Sequence, residues 1–172
     1  MDIILKVIFL LLLLLLCTGF SESPSDENLD ILKETFVRNL PSGIVYTEVP
    51  RGLIISVDEN VFFEDCDDKI KQESVYILDK IGILLKQLPN FCVIEDHLQK
   101  DVCNGELDNW ELSMMRSANL VDYLIKCAKV PQEQLFDIGY GEFMPFKDNV
   151  NPAINSLNNR VDFVIIDYTA TR

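Results

Sequence analysis

One histidine, His97, stands in a chain of 172 residues that carries 28 acidic and 15 basic side chains. Acyl-transfer chemistry would need it to meet a serine and a carboxylate. Nothing around Ser113 or Ser117 marks the strained turn of an activated nucleophile. A metal centre usually gathers several ligands, and one histidine among scattered carboxylates is thin support for one. There is no glycine-rich phosphate loop. Glu64, Asp65, Asp67 and Asp68 are close in sequence, but in so acidic a chain they read as a solvated loop. The residue types therefore point away from catalysis: no enzyme, no cofactor and no metal is expected.

The cysteines offer a second chemistry. None of Cys66, Cys92, Cys103 and Cys127 shows Cys-x-x-Cys spacing, which disfavours a zinc knuckle. In an oxidising compartment their even number permits disulfides. Cys92 and Cys103 flank one predicted loop and are the pair to test first; four buried thiols are the alternative. Cys17 ends an apolar run, where a lipid anchor would attach. Bacterial lipobox signals usually place a small residue before that cysteine, and here Leu16 stands there.

The elements that would position these groups follow a simple plan. The length is that of one domain. Residues 1–21 have a short charged start, an apolar run from Val7 through seven leucines, then small residues, which is the layout of a secretory signal. The run is short for a bilayer span, which needs roughly 20 residues. A cleaved signal, a lipidated Cys17 and an uncleaved anchor all remain open. Asp2 and Lys6 cancel, so the rest of the chain keeps the whole net charge of −13. That surface disfavours nucleic acid, because phosphate binding runs on Lys and Arg. It does not oppose a neutral glycan.

Residues 22–47 read as a linker with a short helix: Ser21–Asn28 is polar, and Leu29, Leu32, Phe36 and Leu40 then recur at helical spacing. Gly52–Val57 is short and β-branched, a strand. Ile70–Leu88 is the clearest helix, with Ile70, Ile77, Ile81, Leu84, Leu85 and Leu88 on one face and Pro89 as its stop. Phe91–Glu95 is a second strand. A second helix starts at Asp108 or Asn109, where Asp108 and Glu111 make an acidic capping box. Its expected buried stripe is Met114, Ala118, Val121, Ile125 and Ala128. Leu135–Ile138 and Val161–Ile166 complete the strands. The order gives an α+β class, with helices covering one face of a mixed sheet.

Asn109–Ala118 (Asn-Trp-Glu-Leu-Ser-Met-Met-Arg-Ser-Ala) resembles the signature of the OmpA/MotB C-terminal domain. Its Asn-Trp-Glu-Leu-Ser opening is shared with flagellar stator B subunits. Around it, Arg51–Ile55 is similar to the family's first strand and Phe62-Phe63 to its aromatic turn. Leu88-Pro89-Asn90, Gly139-Tyr140-Gly141-Glu142 with Pro145, and Asn158-Asn159-Arg160-Val161 follow in the family's order. The resemblance covers residues 48–167, within an expected domain of 48–172.

It implies an OmpA-like β-α-β-α-β-β domain with its helices on one face of the sheet. It also implies a non-catalytic protein of the bacterial cell envelope that grips the diaminopimelate group of the peptidoglycan stem peptide. The domain would lie in the periplasm. Its N-terminus would tether it to the inner membrane or export it across, or place it at the outer membrane if lipidated. A homodimer is one alternative for its oligomeric state. Arg116 takes the position of the arginine that forks onto the ligand carboxylate. Asn109 would shape the loop, and Arg160 matches the second arginine of the closing motif. His97 is kept from the family's Gly-His-Thr-Asp, whereas Gln99 stands where the amine-binding aspartate is expected and Asp96 replaces the glycine. Asp101 or Asp96 would then supply the missing carboxylate. Two alternatives follow: an envelope scaffold that has lost peptidoglycan, and an ion-conducting stator subunit. A stator would need an acidic residue inside the apolar leader, and the only acid there is Asp2.

Overall fold

The computed structural model describes residues 24–41, 44–99, 103, 108–145 and 158–167. The apolar leader with Cys17, and Asp101, lie outside the described residues. In chain order the elements are α1 (Pro24–Asn39), β1 (Val45–Val49), β2 (Gly52–Asp58), α2 (Val75–Leu85), β3 (Cys92–His97), α3 (Asn109–Lys126), β4 (Leu135–Gly141) and β5 (Arg160–Ile166). The five strands form one sheet in the order β1-β2-β5-β3-β4. Among the described residues only β3 and β4 run parallel; the other pairs are antiparallel. The mixed sheet and one-sided helices match the expected α+β architecture. None of the helices among the described residues is long and apolar enough to cross a membrane.

The core lies between the helices and one face of the sheet. Alternation in the strands sends Leu53, Ile55 and Val57 of β2, Cys92 and Ile94 of β3, and Val161, Phe163 and Ile165 of β5 into it. Phe36 from α1, Ile77, Leu78 and Ile81 from α2, and Leu120 and Leu124 from α3 cover them. Full burial of each such side chain stabilises the fold by about 1.5–3 kcal/mol. The aromatic pair Phe62-Phe63 is also fully buried, and Phe62 meets Phe163 edge-on with centroids 6.0 Å apart.

Several boundaries differ from expectation. α1 starts inside the polar stretch, at Pro24, where a proline costs the helix no hydrogen bond. The Ile70–Leu88 helix is shorter: a 3-10 turn over Gln72–Ser74 leads into Val75, and the helix ends at Leu85. β1 was not anticipated; it is an edge strand, only half-buried, with little alternation to read. The expected stripe of α3 is rotated in its first half, while Val121 and Ile125 are partly buried and Ala128, past the helix end, is in the core. Leu112, Ser113, Arg116, Ser117, Leu120 and Leu124 face inward, while Met114 and Ala118 are exposed. Polar residues on the buried face hid its true direction.

α3 begins as its sequence suggests. Asp108 is extended, and its side chain accepts a hydrogen bond from Trp110 N at 2.8 Å. β4 lies against this first turn because two positions lack side chains. A Cβ on Gly139 would come within 2.3 Å of Met114 N, and one on Gly141 (φ +52°) within 2.9 Å of Trp110 Cα. The Gly-Tyr-Gly run is therefore a packing requirement for bringing α3 onto the sheet.

Candidate functional site

Three loops meet where β3 ends and α3 begins. Leu98 N donates to Gly141 O at 2.9 Å, fixing the end of β3 on β4. Gln99 N donates to Asn159 Oδ1 at 2.5 Å, and Asn109 Nδ2 donates to Gln99 O at 2.9 Å. The backbone of Gln99 is thus clamped between the start of α3 and the turn before β5. Ser113 Oγ accepts from Gly141 N and donates to Trp110 O, both at 2.9 Å, so its hydroxyl is spent on holding the turn. Trp110 is about half exposed on the same rim.

Arg116 is not on that rim. Its side chain is completely buried behind the loop that follows β2. Nη1 pairs with the Glu59 carboxylate, Nε donates to Asp67 O at 2.8 Å, and Nη2 donates to Glu64 O at 2.8 Å. Phe63 closes over it, with its ring centroid 4.8 Å from the guanidinium carbon. The guanidinium fork expected to clamp an external carboxylate is here paired with an internal one, Glu59. Burial pushes the Glu59 carboxyl up, against the lowering pull of Arg116. Asp96 lies on the same side of the sheet, with neither carboxylate oxygen hydrogen-bonded. Burial drives its carboxyl well above the ordinary value; Arg116 and Arg160 pull it down, and Glu59 and Asp162 push it up. Asp96 is too deep to replace the absent family aspartate on a surface ligand.

The cysteine expectation is corrected too. Cys103 is bonded to Cys66, with Cα atoms 5.3 Å apart, and Cys92 is a buried free thiol. Cys92 points into the core from β3, where Ile94 also points, and burial raises its thiol far above the usual range. Flanking a loop in sequence did not make Cys92 and Cys103 partners. The real bridge joins the loop that holds Arg116 to the loop that follows β3.

His97 and Arg160 are brought together, but on the sheet face away from the helices. They are cross-strand partners on β3 and β5, and the next pair along that face is Glu95 with Asp162. Arg160 Nε donates to Asp162 Oδ2 at 2.9 Å, and Arg51 Nη2 to Glu95 Oε2 at 3.3 Å. The Tyr140 ring stacks on His97 with centroids 4.9 Å apart. The six site residues named from sequence thus fall into separate places: Gln99 and Asn109 on the rim, Arg116 in the core, His97 and Arg160 on the open face, and Asp101 outside the described residues.

Sequence reasoning missed Glu59, Glu95, Asn159 and Asp162. For two of them a signal was there. Glu95-x-His97 and Arg160-x-Asp162 have the two-residue spacing that puts both side chains on one face of a strand. Nothing comparable marked Glu59 as the partner of Arg116.

With this geometry in hand, comparisons place the chain. "Uncharacterized protein YtxE" of Bacillus subtilis (strain 168) is 26% identical over 151 residues, 84% of this chain and 62% of that protein. "Motility protein B" of the same organism is 28% identical over 145 residues, 81% of this chain and 56% of that protein. The chain thus spans less than two thirds of the length of these curated relatives. A solved structure of a putative MotB like protein from Desulfovibrio vulgaris superposes with a TM-score of 0.73 at 22% identity, covering 83% of this chain and 90% of that one. The OmpA family model matches residues 62–159. That match runs from the buried aromatic pair, through β3 and the capped start of α3, to the turn that clamps Gln99. More than half of the chain is covered, and it belongs to the OmpA family.

Proposed function

We propose that the chain is a non-catalytic module of the bacterial cell envelope that holds peptidoglycan through the rim between β3 and α3. The family membership over residues 62–159 carries this reading. The rim adds to it. Asn109, Gln99 and Asn159 form a fixed polar ledge beside the first turn of α3, whose N-terminus favours a ligand carboxylate. Trp110 offers a flat apolar surface next to it. In this reading the stem peptide is gripped without Arg116, and the contact is with neutral donors and a helix end rather than a charged fork.

The test is co-sedimentation of the full chain, in mild detergent, with purified sacculi. Asn109→Ala and Trp110→Ala should each reduce the bound fraction severalfold while circular dichroism stays native. A folded wild-type chain that remains in the supernatant would remove the reading.

The capture of Arg116 by Glu59 favours a second reading, an envelope scaffold that kept the fold and gave up the wall ligand. A motility role of the stator kind draws support from the relative named Motility protein B. Membrane attachment through residues 1–21, whether by anchor or by lipid on Cys17, belongs to both proposals. Radiolabelled palmitate that fails to enter the wild-type protein would end the lipid version.

A further inference from the structure

On the sheet face away from the helices, three ligand-type side chains converge, and the imidazole between them has no hydrogen-bond partner. One carboxylate oxygen of Glu95, one ring nitrogen of His97 and one carboxylate oxygen of Asp162 lie within 4.8 Å of one another. All three residues are almost completely buried. Neither His97 nitrogen has a hydrogen-bond partner, nor does Asp162 Oδ1, while Glu95 Oε1 is ion-paired with Arg51 Nη2 at 3.2 Å. Native proteins rarely leave so many buried polar atoms idle in one place.

The distances say what is missing. His97 Nε2 lies 3.5 Å from Asp162 Oδ2 and 3.7 Å from Glu95 Oε2. These gaps are too long for good hydrogen bonds. Ligands about 2.1 Å from a tetrahedral zinc ion stand about 3.4 Å apart, close to what is found here. We infer that Glu95, His97 and Asp162 form a binding site for a divalent cation of the zinc class.

Strand geometry builds the site. Glu95 and His97 share a face of β3 by their two-residue spacing, and Asp162 sits opposite Glu95 on β5. The surroundings supply the outer contacts a metal centre uses. Arg160 holds Asp162 Oδ2 and leaves Oδ1 without a hydrogen bond, and Arg51 Nη2 lies 3.2 and 3.3 Å from the two oxygens of Glu95, which orients each carboxylate. Tyr140 stacks on the imidazole and fixes its plane. Two carboxylates and one neutral imidazole would make three protein ligands with a fourth position open to water, and the carboxylates would share their charge between the ion and the neighbouring Arg51 and Arg160. Arg51 is about half exposed and can swing aside to admit the ion.

The chain has a single histidine, which makes the test direct. Full-length protein carrying 15N-labelled histidine, in mild detergent and stripped with a chelator, is titrated with zinc chloride. Cys127→Ser serves as background, because that thiol is exposed and could bind zinc by itself. One ring nitrogen should move to the chemical shift of a metal-bound imidazole, complete at one zinc per chain. The thermal midpoint should rise and fall back with chelator. Asp162→Asn should weaken binding at least tenfold.

Imidazole signals that ignore zinc in the folded wild type would overturn the proposal. So would a signal showing imidazolium held between the two carboxylates at neutral pH and undisturbed by zinc. If Asp162→Asn does not fold, Glu95→Gln takes its place, and the wild-type titration decides by itself.

Discussion

On the helical face of the sheet, Arg116 is sealed from water and every donor nitrogen has a named acceptor: Glu59, Asp67 O and Glu64 O. On the opposite face, Arg51 and Arg160 also meet carboxylates, yet both His97 nitrogens and Asp162 Oδ1 have no hydrogen-bond partner. Both regions bury charge beside the same strand, β3. One is closed, with an internal carboxylate where a ligand's would go. The other is arranged but incomplete. An arginine in a ligand-binding motif can therefore be structural, and a pair of residues passed over in the sequence can form the better binding geometry.

The comparison breaks most visibly at Arg116. Arg116→Ala strands Glu59 in the core and should cost about 3–5 kcal/mol, because a buried charge loses its partner. Urea unfolding followed by circular dichroism measures it. A loss under 1 kcal/mol would mean that Arg116 is not the closed centre described here.

The disulfide is next in size. Cys66 lies between Glu64 and Asp67, whose carbonyls hold Arg116, and its bond to Cys103 closes a span of 37 residues. Cys103→Ser should lower stability by about 2–4 kcal/mol in the chain-entropy account. Cys92→Ala tests the corrected pairing: it should lower the number of free thiols in the unreduced, denatured protein by one and leave the Cys66–Cys103 disulfide intact by mass spectrometry.

Asp96 sharpens the comparison through pH. Burial raises its folded carboxyl above the ordinary 3.8, so the native state holds this proton more tightly than the unfolded chain does. Its contribution is full below that ordinary value and is lost as pH rises through the folded one. Asp96→Asn should therefore remove a fall in stability that sets in as pH rises above the ordinary value, and leave the variant the more stable protein once that fall is under way. Thermal melts at a series of pH values would show it; identical pH slopes for the two proteins would refute it.

His97→Gln should be the mildest change. In metal-free protein it forfeits chiefly the stacking on Tyr140, about 1 kcal/mol. A loss as large as that of Arg116→Ala would erase the contrast between the two faces.

Much of this fold was legible because local and global signals agree. Asp108 caps α3 as its type and position suggest, and the expected strands Gly52–Val57 and Val161–Ile166 fall within β2 and β5. The buried face of α3 was not legible, since Ser113, Arg116 and Ser117 look like surface residues until Gly141 and Glu59 are seen to satisfy two of them. The disulfide was misread because sequence proximity says little about which loops fold together. The site suffered for a similar reason. Its residues lie on strands distant in sequence, and only the register of β3 against β5 sets Glu95 opposite Asp162.

The claim that matters most is that the rim, not Arg116, holds the wall. Co-sedimentation of the folded full chain with sacculi tests it with wild type, Asn109→Ala, and the double variant Arg116→Met with Glu59→Leu, which removes the buried pair without stranding a charge. The account predicts that wild type and the double variant both sediment, while Asn109→Ala loses most of its binding. Loss of binding by a folded double variant, with Asn109→Ala unaffected, would contradict it and return the clamp to Arg116.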